Sequence, residues 1–143
     1  MKHGFTLIEL IVVIIIVGIL AALGINQYSK MVEKGRGAEA KMILGQMRQA
    51  AYQYYLENGT LTGLTNNYLN IGTSAGQIPP NGTCASTHYF GYGSASTGTQ
   101  LDIYGYRCSS NGKTPQGDSS CWINLTAGNI ASNPAVFSTN CGY

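Results

Sequence analysis

The chain has 143 residues, room for one modest globular domain and too few for a large multi-domain enzyme. Charged residues make up 10% of it, against roughly 25% in ordinary soluble proteins. The net charge of +2 is too small to argue for a nucleic-acid partner. The resulting surface is polar and nearly neutral, which suits many identical copies packing side by side.

The first element is a short basic leader, Met1-Lys2-His3-Gly4, followed by Phe5-Thr6-Leu7-Ile8-Glu9-Leu10 and an apolar run to Ile25. At about 1.5 Å rise per residue, residues 5–25 span roughly 30 Å as a helix, the thickness of a bilayer hydrocarbon core. Glu9 is the only ionisable side chain in that run. A carboxylate inside a spanning helix is disfavoured by about 2.5 to 3.5 kcal/mol on insertion scales, so it calls for a partner or a function.

The hexapeptide Gly4-Phe5-Thr6-Leu7-Ile8-Glu9, set between a basic leader and a long apolar run, resembles the processing site of type IV prepilins and pseudopilins. The resemblance covers the N-terminal third and implies cleavage after Gly4, N-methylation of Phe5, and a role for Glu9 as the fifth residue of the mature chain. In the family that glutamate neutralises the N-terminal amine of a neighbouring subunit. Here the pair would be Glu9 and the Phe5 ammonium, two charges that offset each other's burial while fixing the register between copies. The segment 1–4 is thus expected to be a leader and 5–28 a transmembrane and polymerisation helix. Charge counting across this helix does not favour a cytoplasmic N-terminus, since Lys30, Lys34, Arg36 and Lys41 lie on the far flank. The resemblance and the exported cysteines favour it.

Beyond Ile25 the helical pattern continues without proline. Ala40, Ile43, Leu44, Met47, Ala51 and Tyr54 recur at steps of three and four and fall on one face. Residues 29–57 are therefore expected to form an amphipathic helix half, stopped by Asn58-Gly59 at a left-handed cap. Gly18 and Gly24 interrupt the apolar half. In the resembled family a segment between early helix breakers can melt on entry into a filament, which makes these glycines candidate flexibility points; Asn26 stands where many pilins carry proline. Close helix packing is the competing role for Gly18.

Residues 58–143 are expected to form the head. Residues 58–86 read as loop, broken by Asn66-Asn67, Pro79-Pro80 and Asn81-Gly82, with Tyr68, Leu69 and Ile71 pinning it to the helix. Strands are expected over Thr87 to Tyr92, Leu101 to Arg107 and Cys121 to Leu125, with a fourth through Ala135, Val136 and Phe137. The architecture is α+β: a long N-terminal helix on a small antiparallel β-sheet.

Cys84, Cys108, Cys121 and Cys141 all lie in the head, and an even count beyond a membrane segment points to disulfides in an oxidising compartment. Three connectivities are possible, and the resemblance implies Cys84 with Cys108 and Cys121 with Cys141. A zinc site has little support without a Cys-x-x-Cys knuckle. Pseudopilins of type II secretion carry a calcium loop, but here only Asp118 could anchor one, and calcium takes six to eight oxygens, so no metal and no cofactor is predicted.

Nor is catalysis. His88 is the only histidine left once the leader is removed, Asp102 and Asp118 are not brought together by spacing, and no phosphate loop or nucleophile motif appears. Tyr52, Tyr54 and Tyr55 suit a helix–sheet junction better than electron transport. The sequons at Asn58, Asn81 and Asn124 are read as coincidental in a chain rich in Asn and Thr.

The expected function is a structural subunit of a type IV pilus filament. The implied partners are further copies of itself, a prepilin peptidase, the pilus assembly machinery and, before assembly, inner-membrane lipid. Nucleic acid is not predicted as a partner. The alternatives are a type II secretion pseudopilin, a minor tip pilin acting as an adhesion or DNA-binding module, and a single-pass protein whose leader stays uncut.

Overall fold

The computed structural model describes residues 4–69, 83–132 and 134–142. It holds one α-helix, α1 (Leu7–Asn58), and four strands, β1 (Phe90–Thr97), β2 (Gln100–Arg107), β3 (Trp122–Ala127) and β4 (Val136–Thr139). The strands form one antiparallel sheet in the order β1-β2-β3-β4, a simple meander. The chain divides into two compact units, residues 1–35 and 36–143.

In the second unit, α1 buries Ala40, Leu44, Met47 and Ala51 completely, the steps of three and four that place side chains on one face. Ile43 and Tyr54 flank that stripe and pack on its edge. Against it the sheet presents every second residue: Leu101 and Ile103 from β2, Ile123, Leu125 and Ala127 from β3, and Phe90 and Tyr92 from β1. The period of 3.6 on one side meets the period of 2 on the other, and together they make an α+β core. Leu61, Leu69 and Ile130 close its ends.

The helix stops where its sequence predicts. Gly59 adopts φ 72° and its N–H reaches the Tyr55 carbonyl at 2.8 Å, while the Asn58 amide donates to the Tyr54 carbonyl at 2.9 Å. These bonds satisfy carbonyls that the last turn leaves open.

β1 differs from its expected bounds, Thr87 to Tyr92. It starts at Phe90 and runs to Thr97, through Gly91, Gly93, Ser94 and Ser96, which individually favour strands poorly. The ladder to β2 holds it, from Phe90 opposite Arg107 to Thr97 opposite Gln100, closed by the two-residue loop Gly98-Thr99 with Gly98 at φ 59°. Gly93 also leaves space for a cross-strand ring: a Cβ there would stand 2.6 Å from Tyr104 Cε2. β3 runs two residues past its expected end and β4 starts at Val136, ordinary shifts at strand boundaries. Leu69 is fully buried, and the Tyr68 ring lies 4.9 Å from that of Tyr54 although Tyr68 itself is exposed. Ile71, Pro79-Pro80, Asn81-Gly82 and the leader residues Met1 to His3 lie outside the described residues.

One basic side chain enters the head's interior. Arg107 is 1% exposed, donates from Nη1 to the Tyr89 carbonyl and from Nη2 to the Pro115 carbonyl, each at 2.9 Å, and packs against Gly117. It ties the start of β1 to the β2–β3 connection. The Arg36 guanidinium stacks 4.3 Å from the centre of the Tyr89 ring, adding a link from α1 to the same point.

The core predicts a contrast between two leucines of α1. Leu44→Ala, at a fully buried position, lowers the head's stability by about 2–5 kcal/mol in urea denaturation followed by Trp122 fluorescence. Leu56→Ala, at an exposed one, changes it by less than about 0.5 kcal/mol.

Candidate assembly site at the N-terminal segment

In the first unit the apolar side chains have no cover. From Phe5 to Ile25 the large hydrophobic residues are exposed, ranging from 41% at Ile11 to 82% at Phe5. α1 is long and apolar enough to cross a membrane, and its most apolar 18 residues have a mean hydropathy of 3.0 with none buried. Gly18 and Gly24 sit inside α1, and the helix runs through both.

The one carboxylate on this surface is held by its own chain. The Thr6 N–H donates to Glu9 Oε2 at 2.8 Å, the Thr6 hydroxyl donates to the same oxygen at 2.5 Å, and the Glu9 N–H reaches back to Thr6 Oγ1 at 3.4 Å. This is a capping box. Thr6 takes the N-cap position and Glu9 stands three residues on, each satisfying an N–H that the first turn leaves open. A negative side chain in the first turn also suits the positive end of the helix dipole. Thr6 is absent from the sequence-derived site residues, yet Thr-x-x-Glu ahead of an apolar run is a readable signature. The geometry fixes the carboxylate one turn from Phe5, with Oε2 engaged by Thr6.

The cysteines sit at the other end of the chain. Cys84 bonds Cys108 across 24 residues, and Cys121 bonds Cys141 across 20. The first links the segment before β1 to the end of β2; the second joins the start of β3 to the residues after β4. Asn140 reinforces the second closure. Its Oδ1 accepts from Trp122 N at 2.7 Å and its Nδ2 donates to the Ser120 carbonyl at 2.6 Å.

No cluster of three or more metal-ligating side chains occurs among the described residues. The Asp118 carboxylate accepts from Ser120 N at 2.8 Å, a bond that holds it below the usual carboxylate range. His88 is half-buried, with Nδ1 2.9 Å from Thr87 Oγ1 and its ring edge-on to Tyr92. Burial pushes its pKa down from the ordinary 6.5; Glu39 raises it in part and Lys113 lowers it again.

Comparison with known proteins points to the same N-terminal segment. Residues 1–25 match the family described as the prokaryotic N-terminal methylation motif. The chain is 37% identical over 75 residues to a fimbrial protein of Neisseria meningitidis, covering 52% of this chain and 44% of the relative. It is 41% identical over 80 residues to a type IV major pilin of Neisseria gonorrhoeae (56% and 44%), and 36% identical over 78 residues to a probable minor fimbrial protein of Dichelobacter nodosus (54% and 43%). The chain thus spans under half the length of the curated relatives it matches. These findings support a type IV pilin, and such relatives are structural proteins rather than enzymes. No solved structure matches the chain.

Two outcomes follow for the head. A histidine with a lowered folded pKa is more readily protonated in the unfolded chain, so its contribution is present above about pH 6.5 and is lost as pH falls through the folded value. Denaturation midpoints should therefore drop between about pH 7 and about pH 5, and His88→Gln should flatten that drop, while Asp118 acts only at lower pH. Reduction of the disulfides should lower stability by about 3 kcal/mol for each loop closed, measured by urea denaturation with and without reductant.

Proposed function

We propose that this chain is a structural subunit of a type IV pilus filament, cut between Gly4 and Phe5, methylated at Phe5 and polymerised through its N-terminal helix. In this reading residues 1–4 are the leader, 5–28 the helix that lies first in the inner membrane and then in the filament, 29–57 its amphipathic half, and 58–143 the outer head. The observation that carries the reading is the coincidence, within residues 1–25, of a methylation motif with an uncovered apolar helix bearing one carboxylate.

The same surface serves two environments. Lipid covers it in the precursor, and the helices of other copies cover it in the polymer. Glu9 supplies selectivity between them. Thr6 occupies Oε2, and Oε1 is the oxygen that receives the Phe5 ammonium of a neighbouring copy. In an apolar surround a mispositioned neighbour leaves both charges unpaired, so only one stagger is stable. The head's two disulfides suit assembly outside the cytoplasm, where such bonds persist.

Replacing Glu9 tests the reading. Glu9→Val should leave the chain membrane-inserted, cut and methylated, and should reduce sheared filaments at least about tenfold, since one unpaired buried charge costs more than 1.4 kcal/mol per contact. Thr6→Ala, which removes one capping bond and spares the carboxylate, should cost far less. Normal filament yield from Glu9→Val would refute the proposed pairing.

A further inference from the structure

The outer face of the sheet, turned away from α1, carries three aromatic rings in one block. Tyr106 stands directly opposite Trp122 in the β2–β3 ladder, and Tyr104 stands opposite Asn124 one row along. Residues paired this way on one face are neighbours, so Tyr106 stands beside Trp122 and Tyr104 beside Asn124. Trp122 is 41% exposed and Tyr104 38%. On β1 the same face shows Gly91 and Gly93, opposite Tyr106 and Tyr104, which add no side chain of their own beside the rings. The Tyr104 ring lies across Gly93.

Around the rings the face is almost uncharged. It includes Thr126, Ser138, Ala95 and the exposed Val136, and Asp102 is its only carboxylate among the described residues; the strands' one basic side chain, Arg107, is buried. Asn124 Oδ1 is buried without a hydrogen-bond partner among the described residues. Turning that amide toward the face therefore breaks no bond of this oxygen, and a ligand group can supply the one it lacks.

We propose that this face binds a neutral glycan, with one pyranose ring stacked on Trp122, another on Tyr104, and their hydroxyls bonded to Asn124 and the tyrosine hydroxyls. A sugar ring is apolar on its C–H face and polar at its rim, which matches flat amphipathic rings bordered by an amide and hydroxyls. Among the described residues of this face a polyanion finds no cation and meets Asp102. The step needs a single chain and does not depend on polymerisation, though repetition along a polymer would raise avidity.

Trp122 is the chain's only tryptophan and reports directly on its own face. The test titrates the full-length chain, in lauryldimethylamine oxide micelles that contain no sugar, with chitotetraose and lacto-N-tetraose, and with a heparin tetrasaccharide for comparison. The expected result is a saturable emission change with at least one neutral sugar within about 10 mM, unaltered when salt rises from about 50 to about 500 mM. Tyr104→Ala should weaken it at least about tenfold and Tyr104→Phe should retain it, as stacking requires. If far-UV circular dichroism shows Tyr104→Ala unfolded, Asn124→Ala replaces it and should weaken binding at least about threefold. No saturable change with either neutral sugar, an unaltered response in the variant, or a response to heparin alone that salt abolishes would each overturn the proposal. So would an emission shift that follows protein concentration without sugar, which would assign the face to a second copy.

Discussion

The N-terminal unit of this molecule answers to one constraint: a long apolar helix surface whose side chains lie uncovered. The side chains from Phe5 to Ile25 stay exposed. Leaving such a surface in water is disfavoured by about 25 cal/mol for each Å² of apolar area, and in the proposed function lipid and then other apolar helices take it up. Apolar attraction has no direction, and by itself it would let neighbours slide. In the proposed filament Glu9 adds direction, because a carboxylate buried there tolerates one arrangement that pairs it and penalises the rest. The capping box with Thr6 keeps that carboxylate hydrogen-bonded in the single chain, at the end of the helix where its charge is best accommodated.

The head solves a different problem with limited means. Its core is one helix face on one four-stranded sheet, a small apolar interior for a domain of this length. Covalent closure and polar ties compensate. The two disulfides fasten the segment before β1 and the last strand, which otherwise depend on few buried residues, and Arg107 draws the Tyr89 and Pro115 carbonyls together beneath Tyr89 and Arg36. With strength supplied from within, the surface can stay nearly uncharged, and its outer sheet face can carry exposed rings.

Legibility in the sequence followed the range of the interactions. The buried stripe Ala40, Leu44, Met47 and Ala51 was readable because its spacing is a local consequence of the helix, and the stop at Asn58-Gly59 because one residue must take positive φ. The alternation in β2 and β3 was readable for the same reason. The run of β1 past Tyr92 was not, since Gly93, Ser94 and Ser96 become strand only through their partner's ladder. Burial of Arg107 escaped composition-based reading because its acceptors, the Tyr89 and Pro115 carbonyls, come from two separate loops. Thr6 was missed for no such reason; its bond partner is three residues away and the pattern is plain. The disulfide pairing came from family resemblance, not from spacing, which leaves three possibilities open.

The most direct test of the account is the intact mass and N-terminal sequence of the protein sheared from cells that make it. The account predicts an abundant extracellular species that begins at N-methylated Phe5 and lacks four hydrogens, two for each disulfide. An uncut chain beginning at Met1 and confined to the membrane would contradict it.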